Sequence, residues 1–283
     1  MNRHLPYAAV VFAISVSLTR HGDCADLKYN LVNPDTVMDR LKDAPRKDSD
    51  RAVELSKMFQ QAGCQPTQQP VKRLHEPNVI CILGGASGSV ILVGGHLDHA
   101  DEGAGIVDDW SGASLLPTLY QSLAGQPRFH TFVFVGFAGE EQGLVGSDFY
   151  VKHLTPEQRK QIVAMVNLEC LGLTSTEVWV SHSDPILVRM LFGVAQWFKL
   201  PLEGVNVERV GRDDAESFGS YKIAHVTIHS LTQATVPLLH SKNDNIQAIK
   251  PDAYHDSYRL IVPYLTALDQ QLPTDGSPVN KPK

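Results

Sequence analysis

The chain has 283 residues, 43% of them hydrophobic and 20% charged, with a net charge of −6. This length suits one large domain or two small ones with an ample core, and the composition excludes a disordered or collagen-like chain. The acidic balance lacks the electrostatic footprint of a nucleic-acid-binding protein, so no nucleic-acid partner is expected.

Residues 5–18 form an uncharged apolar run behind Arg3 and His4. Such a run reads as a secretory signal, too short to span a membrane comfortably. We expect an exported protein, periplasmic or extracellular, with a signal peptide over 1–25 and no stable membrane span. An N-terminal anchor is the lesser alternative. One globular domain over 26–272 and a loose, polar, Pro-containing tail over 273–283 should follow. Of the four cysteines, Cys24 falls at the expected mature end and Cys170 stands alone. Cys64 and Cys81 flank two candidate strands; they either pair in an oxidising compartment or remain small apolar residues. None has zinc-motif spacing.

Helical apolar spacing covers 33–44 and 48–63, the second ending at Gly63. Residues 66–74 and 78–83 read as strands joined at His75-Glu76-Pro77. A short buried strand at 90–94 runs into Gly95-His96-Leu97-Asp98-His99, and a Gly-rich loop over 101–106 follows. Asp108-Asp109-Trp110-Ser111-Gly112 leads into an apolar helix over 113–123. The run over 128–137 fits a strand buried on both faces. It is followed by the adjacent carboxylates Glu140 and Glu141, then by Gly143 and Gly146 before a helix near Ser147. Strands are expected at 162–168, 177–181, 205–210 and 225–229, with helices at 185–198, 214–220 and 251–271. Alternating strands and helices without repeats predict one α/β domain: a three-layer α/β/α sandwich around a mixed, mostly parallel sheet with an antiparallel edge.

Three of the buried strands end in metal-competent side chains: His96, the Glu140/Glu141 pair, and Glu169. Asp108 and His240 sit in loops. The C-terminal strand edge is where open α/β sheets place their ligand crevices. Imidazole and carboxylate donors without Cys suit zinc, manganese or cobalt. Adjacent glutamates point apart, so one can bind a metal while its neighbour reaches metal-bound water.

The ordered motifs His96-x-Asp98, Asp108-Asp109-x-Ser111-Gly112, Glu140-Glu141-x-Gly143-Leu144-x-Gly146-Ser147, Asn167-x-Glu169 and His240-Ser241-x-x-Asp244 resemble those of the co-catalytic dizinc aminopeptidases. Relatives of that family include glutamate carboxypeptidase and the glutaminyl cyclases. The match runs through residues 90–244, and its most specific part is the Glu-Glu-x-Gly-Leu-x-Gly-Ser segment. The resemblance implies a zinc-exopeptidase-like fold and two zinc ions per chain. Asp108 would bridge the ions, His96 and Glu169 would complete one shell, and Glu141 and His240 the other. It also implies that Glu140 is the general base, that Asp98 orients His96, and that Asp244 does likewise near His240. Two divalent ions about 3.5–4 Å apart acidify a bridging water and polarise the scissile carbonyl. A positioned Glu can pass the water's proton to the leaving amine. The implied activity is a secreted aminopeptidase acting on peptides with a free N-terminus.

The chain departs from the family pattern in three places. Glu169 stands where Asp is usual. Leu239 occupies the place of a Tyr that stabilises the oxyanion in many relatives, with Arg212 as a candidate substitute. Ala215 replaces a His in the segment Arg212-Asp213-Asp214-Ala215-x-x-Phe218, where Asp214 is either a site residue or a helix N-cap. The alternative function is glutaminyl-peptide cyclisation with a single zinc on the same fold. Trp110 beside Asp108 either narrows the pocket or packs in the core. Oligomeric state and side-chain preference are not legible.

Overall fold

A computed structural model describes residues 16–20, 23–42, 44–100, 102–207 and 211–277, with side chains from residue 27 onward. Most of the expected signal segment, residues 208–210 and the tail beyond 277 lie outside the described residues. No helix among the described residues is long and apolar enough to cross a membrane.

An antiparallel pair, β1 (Val16–Arg20) and β2 (Asp23–Leu27), opens the described chain. The elements α1 (Pro34–Lys42), α2 (Asp48–Gln61), β3 (Thr67–Gln69), β4 (Asn78–Leu83), β5 (Val90–His96), α3 (Ser111–Ala113), α4 (Leu116–Leu123) and β6 (Thr131–Phe137) follow. Then come α5 (Val145–His153), α6 (Pro156–Gln161), β7 (Ile162–Leu168), β8 (Glu177–Val178), α7 (Pro185–Phe198), β9 (Glu203–Gly204), α8 (Ala215–Gly219), β10 (His225–His229) and α9 (Pro251–Gln271). Eight strands form one mixed sheet in the order β3-β4-β6-β5-β7-β10-β8-β9. The central strands β6, β5, β7 and β10 are parallel, and β3 and β4 make the expected antiparallel edge.

Strand alternation sorts side chains to the two faces. Ile91, Val93, Phe132 and Phe134 join the larger core, beneath α1, α2, α4, α7 and α9. Leu92, Val133, Val135 and Phe137 join a smaller core with residues of α5 and α8. A disulfide between Cys64 and Cys81 ties the end of α2 to β4.

Four expected elements differ: the strand expected over 177–181 pairs only at Glu177–Val178, ahead of a 3-10 turn at Val180–His182, and three others change as follows. The strand expected over 66–74 shrinks to Thr67–Gln69, because Pro70 has no N–H for the ladder. The helix expected over 113–123 is broken: an irregular turn at Ile106–Trp110 precedes α3, and α4 restarts with Pro117 in its first turn. No strand forms over 205–207; the edge pairing is made instead by Glu203 and Gly204, parallel to β8.

Candidate metal centre

β5, β6 and β7 run side by side and end at one edge, so His96, the Glu140/Glu141 turn and Glu169 arrive there together. Asp108 enters from the irregular turn, where it has non-helical dihedrals and the Asp108–Asp109 peptide is cis. His240 enters from the loop after β10 with a left-handed φ of 52°.

The structure brings all five expected donors together. The two oxygens of Asp108 divide between two imidazoles: Oδ1 lies 3.1 Å from His96 Nε2, and Oδ2 lies 3.1 Å from His240 Nε2. Glu169 Oε1 is 3.5 Å from His96 Nε2, and Glu141 Oε1 is 3.0 Å from His240 Nε2. A tetrahedral zinc with bonds of about 2.0–2.1 Å sets neighbouring ligand atoms roughly 3.3 Å apart, and these separations straddle that value. Glu141 Oε1 is buried and closes no hydrogen bond, with the His240 ring 3.0 Å away as its charged neighbour, so its lone pair can take a cation. Asp108, Glu141 and His240 converge closely enough to hold a metal ion, and His96 and Glu169 converge beside them with Asp109.

The charge balance agrees. Burial first, with Asp108 adding to it, pushes the Glu141 carboxyl up to about 7. Burial, opposed by His96 and reinforced by Asp214 and Glu169, pushes Glu140 up to about 10. The hydrogen bond to Asp108 lifts His240 to about 9, against desolvation. So many acidic groups in one buried place draw in positive charge, and a divalent cation competes with protons for the same lone pairs.

Three further carboxylates hold the centre in shape. Asp98 accepts hydrogen bonds from the backbone N–H groups of Glu140 (3.0 Å) and Glu141 (3.1 Å). Its own backbone carbonyl accepts from His96 Nδ1 at 3.1 Å, which leaves Nε2 facing the other donors. Burial alone would raise the Asp98 carboxyl; the His96 ring and the two N–H groups hold it below the usual range. Asp244 does not support His240 as expected. Its oxygens accept the N–H groups of Val107 (2.7 Å) and Asp108 (3.3 Å), so it fixes the irregular turn.

Asp109, quoted in the Asp108-Asp109-x-Ser111-Gly112 motif without a role of its own in the aminopeptidase reading, holds the site's backbone together. Fully buried, it accepts the N–H groups of His96 (3.2 Å), Gly112 (2.9 Å) and Cys170 (3.0 Å), clamping three segments of the site. The signal for it was Gly112: a Cβ there would lie 2.5 Å from Asp109 Oδ2. Gly146 has a similar cause, since a Cβ would meet the Ala138 carbonyl oxygen at 2.2 Å. Asn167 Nδ2 donates to Glu169 Oε2 at 3.4 Å. Cys170, a buried free thiol, lines the same cavity and donates to Glu169 Oε1 at 3.3 Å.

The remaining candidates separate clearly. Trp110 is fully buried with Arg51 stacked 5.5 Å above it, so it packs in the core and does not narrow the site. Arg51 also donates to the carbonyls of Leu97 and Gly105 at 3.2 Å, bracing the loop between His96 and Asp108. Asp214 makes no N-cap hydrogen bond; Asp213 does so instead, accepting from Ala215 N at 2.9 Å. Both Asp214 oxygens are buried and close no hydrogen bond of ordinary geometry; burial pushes that carboxyl up to about 8, against His96 and the nearby Ser147 hydroxyl. Leu239 and Arg212 line the cavity with Asp108, Glu140, Glu141, Glu169 and His240, enclosing about 550 Å³.

Comparison with known proteins gives the family. The model of peptidase family M28 matches residues 78–265. Leupeptin-inactivating enzyme 1 of Streptomyces exfoliatus is 35% identical over 138 residues, covering 48% of this chain and 31% of that protein. An aminopeptidase of Pseudomonas aeruginosa is 39% identical over 88 residues, covering 31% and 16%. The chain thus spans under a third of the length of these curated relatives. In structure, the Legionella pneumophila LapA aminopeptidase superposes with a TM-score of 0.75 at 20% identity, over 84% of this chain and 71% of that one. A Porphyromonas gingivalis glutaminyl cyclase superposes at 0.66 and 16% identity, over 83% and 98%. With two thirds of its length matched by the family model, and the family's motifs converging on one sheet edge, the chain belongs to peptidase family M28.

Proposed function

We propose that the protein is an exported dizinc aminopeptidase that hydrolyses the N-terminal residue from peptides. The observation that carries this reading is Asp108, whose two carboxylate oxygens each lie 3.1 Å from a different imidazole. His96, Asp108 and Glu169 would hold one zinc; Asp108, Glu141 and His240 would hold the other. When bound, the pair supplies Lewis acidity toward a substrate carbonyl and an acidified water.

The chain's own residues do the rest. Glu140 follows directly before a donor, with its backbone pinned by Asp98, so its carboxylate is held where it can take the water's proton and deliver it to the leaving amine. Asp98 keeps the Glu140 and Glu141 peptides in register with His96. Glu141, Glu169 and Asp108 give the cavity a negative wall for a substrate ammonium group. Leu144, Trp179, Val207, Leu231 and Val236 supply an apolar side for the N-terminal side chain. Export is supported by the apolar run at 5–18 and by the Cys64–Cys81 bridge, which suits an oxidising compartment.

Single-zinc glutaminyl cyclisation is the second reading. It is favoured by Asp214, a buried carboxyl with no hydrogen bond of ordinary geometry and among the charges acting on Glu140, and by Leu239 in place of Tyr. Zinc per chain, measured with turnover of leucine and glutamine amides and of a glutaminyl dipeptide, separates the two. Two zinc ions with amide hydrolysis support the aminopeptidase. One zinc with cyclisation and no hydrolysis overturns it.

A further inference from the structure

Within the aminopeptidase reading, we infer that Arg212 anchors the C-terminal carboxylate of the substrate, so that the enzyme is directed to short peptides with a free C-terminus. The cavity carries the carboxylates of Asp108, Glu140, Glu141, Glu169 and Asp213, and Arg212 is the only Lys or Arg among its described lining residues. Apart from the metal-donor set, only Arg212 on this wall offers a permanently cationic, planar fork that a substrate carboxylate can pair with.

Arg212 is held in place before any ligand arrives. Its Nε donates to Glu216 Oε2 at 2.6 Å. Glu216 Oε1 lies 3.8 Å from His182 Nδ1, and His182 stacks on Trp179 with ring centroids 4.1 Å apart. Trp179 lines the same cavity, so this chain of contacts begins and ends on its wall. The next residue, Asp213, fixes the backbone: its Oδ2 accepts from Thr227 Oγ1 at 2.7 Å, on β10. The two Nη groups of Arg212 make no hydrogen bond to the described residues, which leaves the planar fork free for a carboxylate.

Exposure distinguishes this role from a donor to the reacting carbonyl. The Arg212 side chain is 62% exposed, whereas the metal donors other than His240 are mostly buried. A group that stabilises charge at the scissile bond works best where water is excluded. A rim guanidinium suits the far end of the ligand, which moves outward about 3.3–3.6 Å with each residue beyond the scissile bond. The cavity volume of about 550 Å³ is in the range of small-ligand sites.

The test compares Leu-Gly-Gly with its C-terminal amide on wild type, Arg212→Gln and Arg212→Lys. Wild type should favour the free acid about two- to fivefold in kcat/KM, through KM, and the preference should shrink with added salt. Arg212→Gln should erase that preference between acid and amide, and Arg212→Lys should retain part of it. Equal turnover of acid and amide by wild type, or a preference that survives Arg212→Gln, overturns the inference. So does a lower kcat on both substrates, which would assign Arg212 to the reacting carbonyl. Calorimetric titration of the same peptides into zinc-loaded Glu140→Gln protein, with and without Arg212→Gln, reads the anchor without turnover. Tighter binding of the acid that Arg212→Gln abolishes supports it; equal binding refutes it even if the aminopeptidase reading fails on other grounds.

Discussion

Asp98→Asn tests whether the backbone of the Glu140/Glu141 turn is set by one carboxylate. Asp98 is 1% exposed, and each of its oxygens accepts one N–H, from Glu140 at 3.0 Å and Glu141 at 3.1 Å. The amide keeps one oxygen and turns the other into an NH2 group facing an N–H. One charge-assisted hydrogen bond is lost, and two buried donors are left confronting each other. Together these cost about 2–4 kcal/mol. If that cost falls on the placement of Glu140, kcat/KM should drop roughly 30- to 1,000-fold. All five metal donors remain, so zinc content should be unchanged. The assay is leucine p-nitroanilide turnover, with zinc measured on the same sample and a thermal melt to confirm folding. A folded, zinc-replete D98N protein within threefold of wild-type activity would refute the reasoning.

Glu140→Gln should keep zinc and fold while losing about 10²- to 10⁴-fold in kcat, and activity close to wild type would remove Glu140 as the base. Glu141→Gln and His240→Ala should instead lose zinc from the site they share with Asp108; retention of both ions in either variant would contradict the ligand assignment. His229 provides a pH test away from the metal donors. Burial holds its imidazole down to about 4, partly offset by the Val205 carbonyl. Between that value and the unfolded value near 6.5 the unfolded chain binds more protons, so stability falls as pH drops through the window, by up to about 3 kcal/mol. The stability gap between wild type and His229→Gln in urea unfolding should narrow by about that amount from pH 7 to pH 4, and a constant gap counts against it. Replacing Cys64 and Cys81, 17 residues apart, with Ser should lower unfolding free energy by about 3 kcal/mol; an unchanged midpoint under oxidising conditions would show that the bridge contributes nothing.

The parts legible in the sequence were those governed by neighbours along the chain. The apolar runs at 162–168 and 225–229 and the helices at 185–198 and 251–271 carry their own period, and the structure keeps their bounds. Donor types at strand ends were visible for the same reason: a buried strand must stop, and His96, Glu140, Glu141 and Glu169 stand where these strands stop. The irregular turn at Ile106–Trp110 was not visible, because its shape depends on Asp244, more than a hundred residues away, accepting two of its N–H groups.

The sequence by itself determined the α/β class, the donor chemistry, and which sheet edge would carry it, since side-chain type and local periodicity contain that information. Only the tertiary structure decided how the donors pair. The division of the Asp108 oxygens between His96 and His240, the hold of Asp98 on the Glu140/Glu141 turn, the clamp at Asp109 and the exposed Arg212 at the cavity all join segments far apart in the chain. Such contacts come from the packing of helices against a twisted sheet, which no short window of sequence encodes.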